Sequence, residues 1–136
     1  SKNLPVKEII KIMDEYTNPE LPPSNWFNIP YTGMSASAFR PSDDTCRYPY
    51  LVPSNMFAVA TLTSLINMID TMINQWDCYG GDDSIKETLA SISYSADQLR
   101  IQIDQGIKEH AIIKHETYGD IFCYETDGKG NCNLMD

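Results

Sequence analysis

Positive charge is scarce in this chain: ten Lys and Arg stand against 19 Asp and Glu, for a formal net charge of −9. A nucleic-acid partner demands a basic footprint that displaces counterions, so that class is set aside, and anionic lipid is repelled by the same balance. The two histidines, His110 and His115, are five positions apart around the end of a helical stretch, poor spacing for shared metal ligation. The four cysteines are not at zinc-ribbon spacing, and neither a metal nor any other cofactor is expected. No Asn-x-Ser/Thr acceptor occurs, which disfavours a glycosylated surface. Long apolar runs are missing too. The least polar stretch, Leu51–Ile73, is interrupted by Pro53, Asn55, Asn67 and Asp70, and reads as too polar for a membrane span. Ser1-Lys2-Asn3-Leu4-Pro5 leads into an amphipathic segment and is not a secretory signal, which leaves the compartment open.

What is present is the composition of a globular protein, 42% hydrophobic and 10% aromatic, in a chain of 136 residues. Neutral ligands such as sugars remain permitted, because hydrogen bonds and stacking recognise them without net charge. Three helices are legible. The first covers about residues 4–16, with Val6, Ile9, Ile10 and Met13 on one face. The second, over 54–77, carries Val59, Leu62, Ile66, Ile69, Ile73 and Trp76 at steps of three or four, with Asp70 and Asn74 on the other face. The third, over 84–110, starts at a capping box, Ser84 to Glu87, and carries Ile85, Leu89, Ile92, Ala96, Leu99, Ile103 and Ile107. Gly80-Gly81 lies in the short connection that makes the last two antiparallel neighbours.

The long segment 18–53 holds most of the prolines and several aromatics, and a loop of this length inside a compact protein is commonly functional. Its Trp26, Phe27, Tyr31, Phe39, Tyr48 and Tyr50 predict that it is ordered. Toward the C-terminus, Asp127-Gly128 is the sequence of a tight turn and predicts a hairpin over 120–134. A two-residue turn there sets Cys123 opposite Cys132 at a non-hydrogen-bonded pair. Reduced cysteines packed as small hydrophobes are the expected state, with a disulfide as the alternative. The class is mainly α: antiparallel helices, one long ordered loop and a C-terminal β-hairpin.

Asp43-Asp44 is the most informative pair. Adjacent carboxylates resist double ionisation once desolvated, and an acid still protonated at neutral pH is what a glycosidase uses to protonate a leaving-group oxygen. The plain alternative is that Ser42-Asp43-Asp44 caps a turn, with Arg40 as a structural counter-charge.

Phe39-Arg40-Pro41-Ser42-Asp43-Asp44-Thr45-Cys46, then Tyr48 and Leu51-Val52-Pro53-Ser54-Asn55-Met56-Phe57-Ala58-Val59, resemble the signature of glycoside hydrolase family 125. A second block agrees: Ile107–His115, Tyr118-Gly119-Asp120-Ile121, Tyr124–Asn131 and Leu134-Met135-Asp136. The resemblance implies part of an (α/α)6 barrel whose residues 1–136 continue into a longer parent. It implies metal-independent, inverting removal of non-reducing α-1,6-linked mannose from an α-mannoside or mannan-type glycan. On that resemblance the general acid lies in the Asp43-Asp44 motif and the base lies outside this chain, across the roughly 6.5–9.5 Å gap that inversion requires. Arg40, Tyr48, Asn55 and Asp136 are carried over as substrate-binding positions. The rest of the same barrel is the expected partner of the helix faces, and this chain alone is expected to be inactive. Ser35-Ala36-Ser37 stands where the family usually has a tryptophan, and Lys129 where it favours an aromatic. Asn55 has loop bracing as an equal alternative, Tyr48 has core packing, and Glu125 and Asp127 read as hairpin residues. A second class of function, a non-catalytic helical module for protein interaction or glycan binding, stays open beside the enzyme.

Overall fold

A computed structural model of the chain describes residues 29–79 and 81–134. The helix expected at 4–16 and the proposed sugar contact Asp136 lie outside these residues. The elements run β1 (Tyr50–Leu51), α1 (Val52–Asn74), α2 (Trp76–Tyr79), α3 (Asp83–His110), β2 (Ile112–His115), β3 (Gly119–Phe122), β4 (Glu125–Thr126) and β5 (Cys132–Asn133).

The segment expected as one helix over 54–77 begins two residues earlier and divides near its end. Pro53 occupies the first turn of α1, where its missing N–H is no loss, and Gln75 closes the helix before the single turn of α2. The α3 start also differs from expectation. Asp82, not Ser84, is the cap: its carboxylate accepts the Ser84 N–H at 2.9 Å, and that hydrogen bond holds the Asp82 carboxyl below the usual carboxylate range. One residue supplies the whole cap, so the reciprocal Ser84–Glu87 box is not needed.

α1 and α3 lie antiparallel, so the start of α1 meets the end of α3. Val52, Ile103, Ile107 and Ala111 join Met34, Tyr50 and Cys123 in one core, flanked by Met56, Val59 and Leu62. Gly106 makes a close approach possible there, because a Cβ at this position would collide with the Thr32 carbonyl. Farther along, the contact is polar: Ser93 Oγ donates to Asp70 Oδ1 at 3.1 Å, placing Asp70 toward α3 rather than on the opposite face. The seam expected on α3 is narrower than its apolar repeat. Ile85, Ile92 and Leu99 are exposed, as are Phe57, Met68 and Met72 on α1. These side chains keep the helical period but face away from the α1–α3 contact, as the outer surfaces of a helical layer do. By length and composition α1 also qualifies as long and apolar enough to cross a membrane, with a mean hydropathy of 1.5 over its most apolar 18-residue window. On that measure the reading of Leu51–Ile73 as too polar does not hold.

Two small antiparallel sheets sit where α1 begins and α3 ends. β2 and β3 pair from Ile112↔Phe122 to His115↔Gly119, around a three-residue loop that ends at Gly119, which has φ 74°. The other sheet has the order β1-β4-β5. This departs from the hairpin expected over 120–134. Asp120–Phe122 pair backward with β2, and β4 pairs with β5 in the register Glu125↔Asn133 and Thr126↔Cys132. The turn is a five-residue loop over 127–131, with Gly128 and Gly130 both at positive φ. The Asp127 carboxylate gathers it, accepting Lys129 N–H at 2.8 Å, Asn131 N–H at 3.0 Å and Asn131 Nδ2 at 2.7 Å. Burial works against the charged Asp127, but these hydrogen bonds outweigh it and hold the carboxyl below its ordinary range. Cys123 and Cys132 come together despite the different register, and they are disulfide-bonded with Cα atoms 5.5 Å apart. The reduced pair expected from the sequence is therefore replaced by a covalent staple across the loop.

Candidate functional site

The Arg40–Asp44 motif forms the tip of a narrow hairpin. Phe39 and Thr45 make a β-bridge, Arg40 N–H donates to the Asp44 carbonyl at 2.8 Å, and Asp43 N–H donates to the Arg40 carbonyl at 3.0 Å. Pro41 supplies the fixed φ that the second position of the turn wants. Asp43 takes the left-handed conformation, φ 70°, that closes a three-residue loop and that Asp tolerates better than most residues. Among the described residues it is the sole non-glycine with positive φ.

The two adjacent carboxylates have different settings. Both residues are exposed. Asp44 Oδ2 accepts the Ser42 hydroxyl at 2.7 Å, while the Asp43 side chain projects from the left-handed corner. The pair therefore stands at the exposed end of the Phe39–Thr45 hairpin, where the sequence leads one to expect at least one aspartate facing a pocket. A cleft of about 370 Å³ lies elsewhere, between Tyr31–Gly33 and the Gln98–Glu109 stretch of α3, and neither aspartate lines it.

The base of the hairpin is held by a residue that the sequence suggested only as part of the C-terminal hairpin. Glu125 is fully buried, and its carboxylate accepts Arg40 Nε at 2.7 Å, Arg47 N–H at 2.8 Å, Tyr48 N–H at 3.3 Å and Asn133 Nδ2 at 3.4 Å. A buried carboxylate is tolerable only with such partners. The Arg40 guanidinium also lies over the Tyr124 ring, 5.3 Å from its centroid. Cys46, buried one residue after the bridge, feels the same charge. Burial pushes its thiol up to about 11 from 9.0; the Glu125 charge adds to the shift and Arg40 opposes it. The signal in the sequence was an acidic residue between Tyr124 and Thr126 in a strand, but nothing local couples it to a motif so far upstream.

Asn55 is buried at the first turns of α1, and its amide is committed to the backbone. Oδ1 accepts Ser35 N–H at 2.8 Å, and Nδ2 donates to the carbonyls of Ser35 at 3.0 Å and Leu51 at 2.9 Å. That is the geometry of a brace, the alternative weighed against a sugar contact. Tyr48 is half-buried, with the Arg47 guanidinium 5.9 Å from its ring centroid. Among the described residues no group of His, Cys, Asp and Glu side chains is arranged to hold a metal ion.

Residues 23–136 match the family of metal-independent alpha-mannosidases, GH125. The chain belongs to this family. The chain is also similar to individual proteins. The meiotically up-regulated gene 157 protein of Schizosaccharomyces pombe is 33% identical over 100 residues, which cover 74% of this chain and 17% of that protein. A Streptococcus pneumoniae metal-independent α-mannosidase, solved as a non-productive complex with α-1,6-mannobiose, superposes with a TM-score of 0.64 at 38% identity. That match covers 79% of this chain and 22% of the bacterial one. The chain thus spans less than a quarter of either relative. Its mainly helical architecture is part of the GH125 (α/α)6 barrel, with α1 and α3 as one helical pair of it.

Proposed function

We propose that the parent protein is an exo-acting α-mannosidase that removes non-reducing α-1,6-linked mannose with inversion, and that the Arg40–Asp44 hairpin forms one wall of its mannose pocket. The observation that carries this reading is the ordered, exposed Asp43-Asp44 corner, held at its base by the Arg40–Glu125 pair, in a chain of the GH125 family. Asp43 is the proton donor to the leaving-group oxygen. Asp44, whose Oδ2 already accepts a hydroxyl hydrogen bond from Ser42, accepts a second hydroxyl from the sugar. Arg40 and Tyr48 stand at the base of the hairpin, Asp136 adds a further sugar contact, and the base that activates water belongs to another part of the barrel. The mannobiose held by the bacterial relative supports α-1,6-linked mannose as the substrate class.

The exposure of both aspartates favours one competing assignment, in which both hold sugar hydroxyls and the proton comes from elsewhere. Asn substitutions separate the two. The variant lacking the acid loses far less activity on substrates with activated leaving groups than on an α-1,6-mannobioside, whereas loss of a hydroxyl acceptor lowers both alike. Proton NMR of the first-formed product tests inversion, which releases β-mannose from an α-mannoside. Full-length protein with an intact fold and no hydrolysis of any α-mannoside would favour the non-catalytic module instead.

A further inference from the structure

The geometry points to Glu125 as the positioning residue of the mannose site: its buried carboxylate, acting through Arg40 and the Arg47 and Tyr48 amides, fixes where the Asp43-Asp44 corner stands. This rests on the reading that the corner lines the mannose pocket. A buried carboxylate could find its hydrogen bonds within its own sheet. Glu125 instead spreads both oxygens over the stem of the hairpin, Oε1 to Arg40 at 2.7 Å and Oε2 to Arg47 N–H at 2.8 Å and Tyr48 N–H at 3.3 Å. These contacts flank the tip on both sides, so the tip can neither slide nor tilt without breaking one of them.

The anchor itself is immobilised from behind. Glu125 pairs with Leu51 on β1, the strand that runs directly into α1, and with Asn133 on β5. The Cys123–Cys132 bond ties the two arms of that β4–β5 hairpin together. Asn133 Nδ2 reaches the same oxygen from the neighbouring strand at 3.4 Å. Core, sheet and disulfide therefore converge on one side chain, and that side chain hands the position on to the loop. Packing alone does not require this. A neutral residue of similar volume would fill the space, but it would remove the Glu125 oxygens that accept from Arg40 Nε and from two backbone amides.

Asn133 and Glu125 have no contact with substrate in this scheme, so the test must read chemistry rather than folding. In the full-length protein, Glu125→Gln keeps the shape but offers a single acceptor oxygen. With thermal unfolding unchanged in cooperativity, we expect kcat/KM on an α-1,6-mannobioside to fall by roughly 100-fold, the scale of an ångström-sized misplacement. The variant should also reproduce the leaving-group dependence of whichever aspartate variant is the more impaired. Folded Glu125→Gln with parental kcat/KM, beside impaired Asp43→Asn and Asp44→Asn, overturns the positioning role. Parental activity in both aspartate variants instead overturns the site reading on which it rests. If Glu125→Gln does not fold, Arg40→Lys replaces it, because it removes the Nε–H donor while Glu125 still holds the two amides. Parental kcat/KM in that variant likewise overturns the proposal, and a loss with the aspartate-like leaving-group dependence supports it.

Discussion

Arg40 and Glu125 are separated by 85 positions in the sequence and by 2.7 Å between Nε and Oε1 in the structure. The pair closes the distance between the two halves of the family signature, the loop before α1 and the strands after α3. It also explains why so exposed a loop holds one shape: its Asp43-Asp44 corner faces solvent, but its stem is bonded to a buried carboxylate.

Asn55 braces the chain entering that loop. Replacing it with Ala removes the side-chain partner of Ser35 N–H and of the Ser35 and Leu51 carbonyls. We predict a loss of about 2–4 kcal/mol in the denaturant unfolding of the parent protein. Parental stability with a raised KM would return Asn55 to the sugar contacts.

The Cys123–Cys132 bond closes a short loop, its ends nine positions apart in the sequence. Chain entropy assigns such a crosslink about 2–3 kcal/mol, so Cys132→Ser should lower the denaturation midpoint accordingly. Peptide mapping without reduction should recover the two cysteines joined. Alkylation of both in the unreduced native protein would contradict the bond.

Cys46 gives a pH dependence of defined sign. Its thiol is raised from 9.0 to about 11 in the fold, mainly by burial. Between those values the unfolded chain has lost the proton and the folded chain retains it, so stability falls as pH climbs from about 9 toward 11. The loss attributable to this group is about 1–3 kcal/mol. Denaturation midpoints at pH 8 and pH 11, compared between the parent and Cys46→Ala, isolate it from other titrating groups. Equal drops in the two proteins would remove Cys46 as the cause.

Membership of a metal-independent family leads to a simple expectation for the proposed mannosidase activity. Mannoside hydrolysis should be unchanged by a divalent-metal chelator. Activity abolished by the chelator and restored by added metal would contradict it.

The helical pair was legible because its signal is periodic: Val59, Leu62, Ile69, Ile103 and Ile107 all fall on or beside the core at helical spacing. The same periodicity overstated the seam, since Ile92 and Leu99 obey the repeat yet are exposed. Period reports that a face is apolar, not what covers it. The hairpin register was missed for a local reason. Asp127-Gly128 suggests a two-residue turn, but the second glycine at 130 and the Asp127 side chain stabilise a longer loop. Arg40–Asp44 could be picked out as a motif, whereas its left-handed corner and its anchor could not. A single sequence carries no record of which distant carboxylate an arginine meets.

Hydrolysis of an α-1,6-mannobioside and of an activated aryl α-mannoside by the full-length protein and its Asp43→Asn and Asp44→Asn variants tests the central claim most directly. The account predicts that the parent cleaves both substrates. Asp43→Asn should lose most of its activity on the mannobioside while keeping much of it on the aryl substrate, and Asp44→Asn should be impaired on both. Equal losses on both substrates at both positions would contradict Asp43 as the proton donor. Full activity in both variants would contradict a mannose site at this hairpin altogether.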